Sequence, residues 1–245
     1  MNTDLVAAHT FLYYESTSKY VLDTISKFHN GPLFLSLVDG NNSNDTIIQY
    51  AQNNFDKTYV IYVDNCGTDQ YGFFNSLKFD DSNTPWIFYC HDKHPSKHDW
   101  LSDLLKIYIN FDNNLLLDPN SGIISSLKHK HKTSNYEELL DIGRKSHHQH
   151  RKEIVQSMHT LIWLNELTRI LLEKDNLYKK ESKYPYFCAG NIFLIRRDIA
   201  IKAHECVYDQ FFNRNAYRTD GDIGHGLERF YFYVSECMGY NNIFI

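Results

Sequence analysis

Apolar and polar positions alternate in blocks along the first ninety residues. Residues 5–14 (LVAAHTFLYY) form an apolar run of strand length. Residues 16–29 place Val21, Leu22, Ile25 and Phe28 at helical spacing. Gly31 and Pro32 punctuate, and Leu33–Val38 reads as a buried strand stopped by Asp39-Gly40. A polar turn opens a short helix to about Asn54, and Tyr59–Val63 is a third strand ending at Asp64-Asn65. Residues 69–78 fit a helix, and Trp86–Cys90 is a fourth strand ending in His91-Asp92-Lys93. Near-continuous apolar strands alternating with helices predict an α/β fold, a mostly parallel sheet flanked by helices. In such sheets ligands bind outside the carboxyl ends of the strands, where Asp39, Asp64, Asn65, His91 and Asp92 gather.

The pattern then changes. Residues 99–118 read as a helix and a short apolar stretch, and residues 128–152 are rich in Lys, Arg and His. A long helical pattern runs to about Lys174 with no Gly or Pro in it. Strand character resumes at Tyr186–Asn191 and Ile192–Ile195, followed by a helix over residues 198–212. Turn formers at Asp220–His225 open a last helix, Gly226–Met238. With no repeat and no Gly/Ser linker, the expectation is a single domain over 1–245, with a helical insertion at about 135–180.

Composition narrows the class. Of 245 residues, 42 % are hydrophobic and 15 % aromatic, enough to close a core, so disorder is excluded. No apolar run reaches the ~20 residues of a membrane span, and the start of the chain lacks the pattern of a signal peptide. A net charge of −5 argues against a general nucleic-acid surface, and no nucleic-acid partner is expected. Five Cys without a CxxC pair suit reduced, mostly buried thiols in a cytoplasmic protein. The His147-His148-Gln149-His150 run reads as a solvated helix face rather than a metal site, since position 148 points away from 147 and 150.

Three polar constellations carry chemistry. In the first, Asp64, Asn65, Gly67 and Asp69 bracket a strand end; this suits a ribose or a metal–diphosphate, or equally a strand-to-helix turn capped by Asp69. In the second, His91, Asp92 and Lys93 set a carboxylate, a hard ligand for a divalent cation, beside groups that meet phosphate, or form a solvated loop. In the third, Asp220 and Asp222 precede a helix on which His225, Glu228 and Arg229 share a flank. A carboxylate ionised at a helix start can act as general base, or can simply cap the helix. There is no P-loop and no GxGxxG.

In order along the chain stand His9; Asn65, Gly67 and Asp69; His91, Lys93 and Trp100; Ala189, Gly190, Phe193 and Arg196; then Asp220, Gly221, His225, Glu228, Arg229, Phe230, Gly239 and Tyr240. By these motifs the chain resembles the rhamnan synthesis protein F family, GT-A-like glycosyltransferases of surface-polysaccharide assembly. Thr68 stands where that family has a basic residue. The resemblance implies a Rossmann-like sheet binding a nucleotide-sugar donor, and a glycan or lipid-linked glycan acceptor, without a transmembrane segment. It implies that Asp92 takes the metal or diphosphate position, with Mn or Mg as the divalent cation or with Lys93 in its place. It further implies that the Ala189-Gly190-Asn191 loop approaches donor sugar or acceptor, that Arg196 belongs to the donor site, and that His225 ligates metal or touches phosphate. Asp220 or Asp222 would then deprotonate the acceptor in an inverting displacement. The surplus aromatics would serve as sugar-stacking surfaces as well as core. Two rival readings are a non-catalytic nucleotide- or glycan-binding protein of the same fold and a metal-dependent hydrolase.

Overall fold

The structure is a computed structural model that describes residues 4–66, 69–145, 151–175, 185–212 and 223–245. The first half follows the sequence pattern closely: β1 (Val6–Leu12), α1 (Glu15–Ser26), β2 (Leu33–Val38), α2 (Asn44–Asn54), β3 (Thr58–Val63), α3 (Asp69–Phe79) and β4 (Trp86–His91). The stretch read as residues 99–118 divides into α4 (His98–Lys106) and a single turn, α5 (Asn114–Leu117). Beyond it come β5 (Ser121–Ser125) and β6 (Lys130–Lys132), then α6 (Tyr136–Lys145), α7 (Arg151–Asp175), β7 (Tyr186–Cys188) and β8 (Phe193–Arg196). The expected helix over 198–212 is shorter, α8 (Arg197–His204), with a 3₁₀ turn at Asp209–Phe211. The chain closes with α9 (Ile223–Cys237) and β9 (Asn241–Phe244). No helix among the described residues is long and apolar enough to cross a membrane.

Seven strands form one sheet in the order β3-β2-β1-β4-β8-β5-β9, and β6 pairs with β7 in a separate ribbon. The pairs β1–β2, β2–β3, β1–β4 and β5–β9 are parallel; β8 runs antiparallel to both β4 and β5. The chain winds outward from β1 to β3, then crosses back to place β4 on the other side of β1. That reversal opens a crevice at the carboxyl ends of β1 and β4, the position where open α/β sheets hold ligands.

The aromatics of the central strands divide between two layers because neighbouring strand residues face opposite ways. Phe88 packs on Phe28 and Tyr108 (5.2 and 4.7 Å between ring centroids) beneath α1. Tyr89, on the other face, stacks on Phe73 of α3 at 4.2 Å and meets Phe193, which in turn meets Tyr231 of α9. The largest aromatic side chains are thus core. The five cysteines are free and four are buried.

His9 faces the same layer. It is fully buried between Ser76 (Nδ1 to Oγ, 2.8 Å) and Asp80 (Nε2 to Oδ2, 2.8 Å). Arg197 reaches Asp80 at 2.6 Å and also bonds Ser82 and Thr84. The order Ser–His–Asp is that of a hydrolase triad, yet Ser76 is 1 % exposed and Arg197 occupies the carboxylate, so no substrate meets it.

Helix α9 lies against α7 at a close crossing. A Cβ on Gly226 would stand 2.6 Å from Trp163 Cβ. Gly226→Ala therefore gains helix propensity of about 1 kcal/mol but drives two helices apart, and a net loss of roughly 1–3 kcal/mol is expected. Denaturant unfolding followed by tryptophan fluorescence measures it; an unchanged midpoint would show that α7 yields without cost.

Candidate functional site

Four segments converge at the carboxyl end of β4. The start of α3 supplies Asp69, the end of β4 supplies His91 and Lys93, the β7–β8 turn supplies Ala189, Gly190 and Asn191, and the first turns of α9 supply His225, Glu228 and Arg229. The β7–β8 turn folds tightly because Gly190 stands at φ +109° and Asn191 at φ +52°, the left-handed region that Gly and Asn tolerate. A Cβ on Gly190 would come within 2.7 Å of Leu104 and 3.2 Å of the Trp100 ring, so α4 packs directly on the bare backbone.

Hydrogen bonds tie the segments together. Glu228 Oε1 accepts from the Gly190 N–H at 2.8 Å, and His91 Nε2 lies 3.0 Å from the Gly190 carbonyl oxygen. Asp69 Oδ2 accepts from Asn191 Nδ2 at 3.1 Å and from the Tyr89 hydroxyl at 3.2 Å, and lies 3.2 Å from His91 Nε2. Lys93 Nζ sits 2.7 Å from the same His91 nitrogen and 4.8 Å above the Trp100 ring centroid. Arg229 bonds Glu228 at 3.2 Å and the His225 carbonyl at 2.7 Å, with its guanidinium 4.0 Å above Phe187.

The electrostatics follow from burial against charge. Burial pushes the His91 pKa down to about 4 even though the Asp69 carboxylate opposes it, so His91 is neutral at pH 7. Burial likewise lowers Lys93 against the pull of Asp69 and Glu228. Partial burial raises Asp69, but His91, Lys93, the Asn191 amide and His225 outweigh that and hold it below the ordinary carboxylate range. Among the described residues no carboxylate lies within ion-pair distance of Lys93, whereas Arg229 is paired with Glu228. A half-buried ammonium flanked by a neutral imidazole and an indole face attracts an anion.

Asp92 does not join this cluster. Its Oδ2 accepts the backbone N–H groups of Tyr13 (3.0 Å) and Tyr14 (2.6 Å) and the hydroxyls of Thr17 (3.3 Å) and Ser18 (3.0 Å). The carboxylate plugs the start of α1, where helices following β1 commonly bind phosphate. Burial raises its pKa to about 6 despite those four donors. Among the described residues no group of three or more His, Cys, Asp or Glu is placed to hold a metal ion. Through Oδ2, Asp92 caps the start of α1.

Arg196 lies apart from the cluster. It pairs with Trp86 at the start of β4, because β8 runs antiparallel to it. It thus lies at the opposite end of that strand from His91, five residues or roughly 17 Å away at ~3.4 Å per residue. There it stacks on Tyr240 and Trp86 and pairs with Asp198. Asp39, Asp64 and Asn65 are exposed, just beyond the carboxyl ends of β2 and β3, one and two strands from β1. Gly67, Asp220 and Asp222 lie outside the described residues. Sequence reasoning left Tyr89 out of the site: a hydroxyl in an apolar strand reads as core, yet it also bonds the Asp69 backbone carbonyl at 2.9 Å. Trp100 was legible only as part of a motif.

A family model described as rhamnan synthesis protein F matches residues 1–240. No curated protein matches the chain. Among solved structures, mouse xyloside xylosyltransferase 1 in its apo form is similar, with 9 % sequence identity over 97 % of this chain and 85 % of that one, at a TM-score of 0.35.

Proposed function

Since the chain belongs to the rhamnan synthesis protein F family, we propose that it is a glycosyltransferase that moves a sugar from a nucleotide-sugar donor to a hydroxyl of a glycan or lipid-linked glycan. The observation that carries the donor reading is Lys93, a half-buried cation with no carboxylate in ion-pair reach among the described residues, at the end of a central strand. Lys93 meets the donor's diphosphate and, with Arg229 nearby on α9, stabilises the charge that builds on it as the glycosidic C–O bond breaks. His91 and Asp69 hold Lys93 in place. Asp220 or Asp222 takes the acceptor hydroxyl's proton while its oxygen attacks the anomeric carbon, which inverts the configuration. Residues 1–245 act as one catalytic unit, with α6 and α7 as a helical addition to the sheet.

The test is ligand-dependent thermal stability with UDP, GDP, CDP and dTDP and their sugars, with and without Mn²⁺. At a hundredfold excess over Kd, one nucleotide series should add about 2.7 kcal/mol. No shift with any nucleotide would overturn the reading. Asp220→Asn or Asp222→Asn should abolish turnover with donor binding retained; full turnover in both would remove the base assignment.

A further inference from the structure

We propose that Asn191 reads a hydroxyl of the bound donor through its carboxamide oxygen. The inference rests on the donor-binding reading above and names a contact that reading does not supply.

The Asn191 side chain has one acceptor and two donors. Its Nδ2 donates to Asp69 Oδ2 at 3.1 Å, which fixes the amide: turned over, its oxygen would face a carboxylate. The backbone around it is clamped as firmly. The preceding Gly190 is held through its N–H by Glu228 and through its carbonyl beside His91, and Asn191 itself stands at φ +52°. With the turn and the amide both fixed, Asn191 Oδ1 has one orientation. It is buried, on a residue 8 % exposed, and has no hydrogen-bond partner among the described residues.

A buried acceptor without a donor calls for a ligand group or a water. The chemistry of that group follows from the atom. Oδ1 only accepts, so a phosphate oxygen cannot satisfy it, while a hydroxyl can. Lys93, the donor for phosphate, meets the same Asp69 through His91. The cluster thus sets a phosphate-attracting cation and a hydroxyl-accepting oxygen around one carboxylate, the complement of a nucleoside diphosphate sugar. The hydroxyl belongs either to the ribose or to the transferred sugar.

The test pairs Asn191→Gly, which keeps the left-handed backbone, with nucleotides that lack single hydroxyls. Binding of the preferred nucleoside diphosphate sugar, its nucleoside diphosphate and their deoxy analogues is measured by calorimetry. The variant should lose roughly tenfold in affinity for the full donor. One deoxy donor should bind the wild-type protein as weakly, with no further loss in the variant, since the two changes remove the same contact. A parallel loss for the sugar-free nucleoside diphosphate assigns the ribose; a loss confined to the nucleotide sugar assigns the transferred sugar. Additive losses for every deoxy analogue, or unchanged affinity in the variant, would overturn the proposal and leave Oδ1 to a bound water. If the wild-type protein binds no nucleotide, it is the donor-binding reading that fails.

Discussion

Lys93→Met should abolish nucleoside diphosphate binding at concentrations that saturate the wild-type protein and lower turnover by roughly 10²–10³-fold. Methionine keeps an unbranched apolar stem against Trp100 and removes only the charge. Three facts set the size of the effect. Lys93 is half-buried, so its field acts in a medium where each charge counts for more than at the open surface. Arg229, half-buried on α9, is already matched by Glu228. His91 is neutral near pH 7 and contributes no charge of its own. Stability should hold or rise, because a half-buried ammonium with no ion-pair partner among the described residues costs desolvation that methionine does not. Calorimetric titration and turnover decide the matter. Wild-type affinity with wild-type turnover would remove Lys93 from the site, and a protein that no longer folds would show that the ammonium holds the β4 end together instead.

A second large effect is acid unfolding between pH 6.5 and 4. Burial pushes His29 and His91 down to about 4 and His204 to about 3. Each is neutral when folded and takes up a proton near pH 6.5 when unfolded. The unfolded chain therefore binds more protons below pH 6.5, and stability falls as pH drops through that window. By pH 4 each of His29 and His91 accounts for on the order of 3 kcal/mol, against a total of about 5–15 kcal/mol for an ordinary domain. Asp92 works the other way, since its raised pKa of about 6 relieves a cost as pH falls, and it offsets one histidine. Asp80, held below the usual carboxylate range by His9 and Ser82 against its burial, gives stability that is lost only as pH falls below the ordinary carboxylate pKa. Thermal midpoints from pH 7.5 to 4.5 should drop steeply, and His204→Phe should flatten the slope. A flat profile would mean that the buried imidazoles accept protons without opening the core.

The first four strands were legible because long apolar runs between polar stops have few alternatives. The later strands β5, β6 and β9 are three to five residues each and gain their shape from neighbours the local pattern does not mention. The site divides the same way. Asp69, His91, Lys93, Gly190, Asn191 and Glu228 come together as the strand-end rule anticipates. The bonds of Asp92 were not legible because a carboxylate after a strand looks the same whether it awaits a ligand or caps a helix, and its partners stand 74 to 79 residues earlier. The place of Arg196 was not legible because nothing in its motif says that β8 runs antiparallel, and that direction alone carries it to the far end of β4.

The sealed Ser76–His9–Asp80–Arg197 chain has a kinetic consequence. It joins residues 67, 71 and 117 apart in sequence, so it forms only after β1, α3 and the start of α8 have met. Contacts that require so much prior loop closure are made late on the folding path. Loosening the Arg197 end would leave the rate of folding nearly unchanged and shorten the lifetime of the folded protein instead. The network then governs how long the folded sheet survives once made.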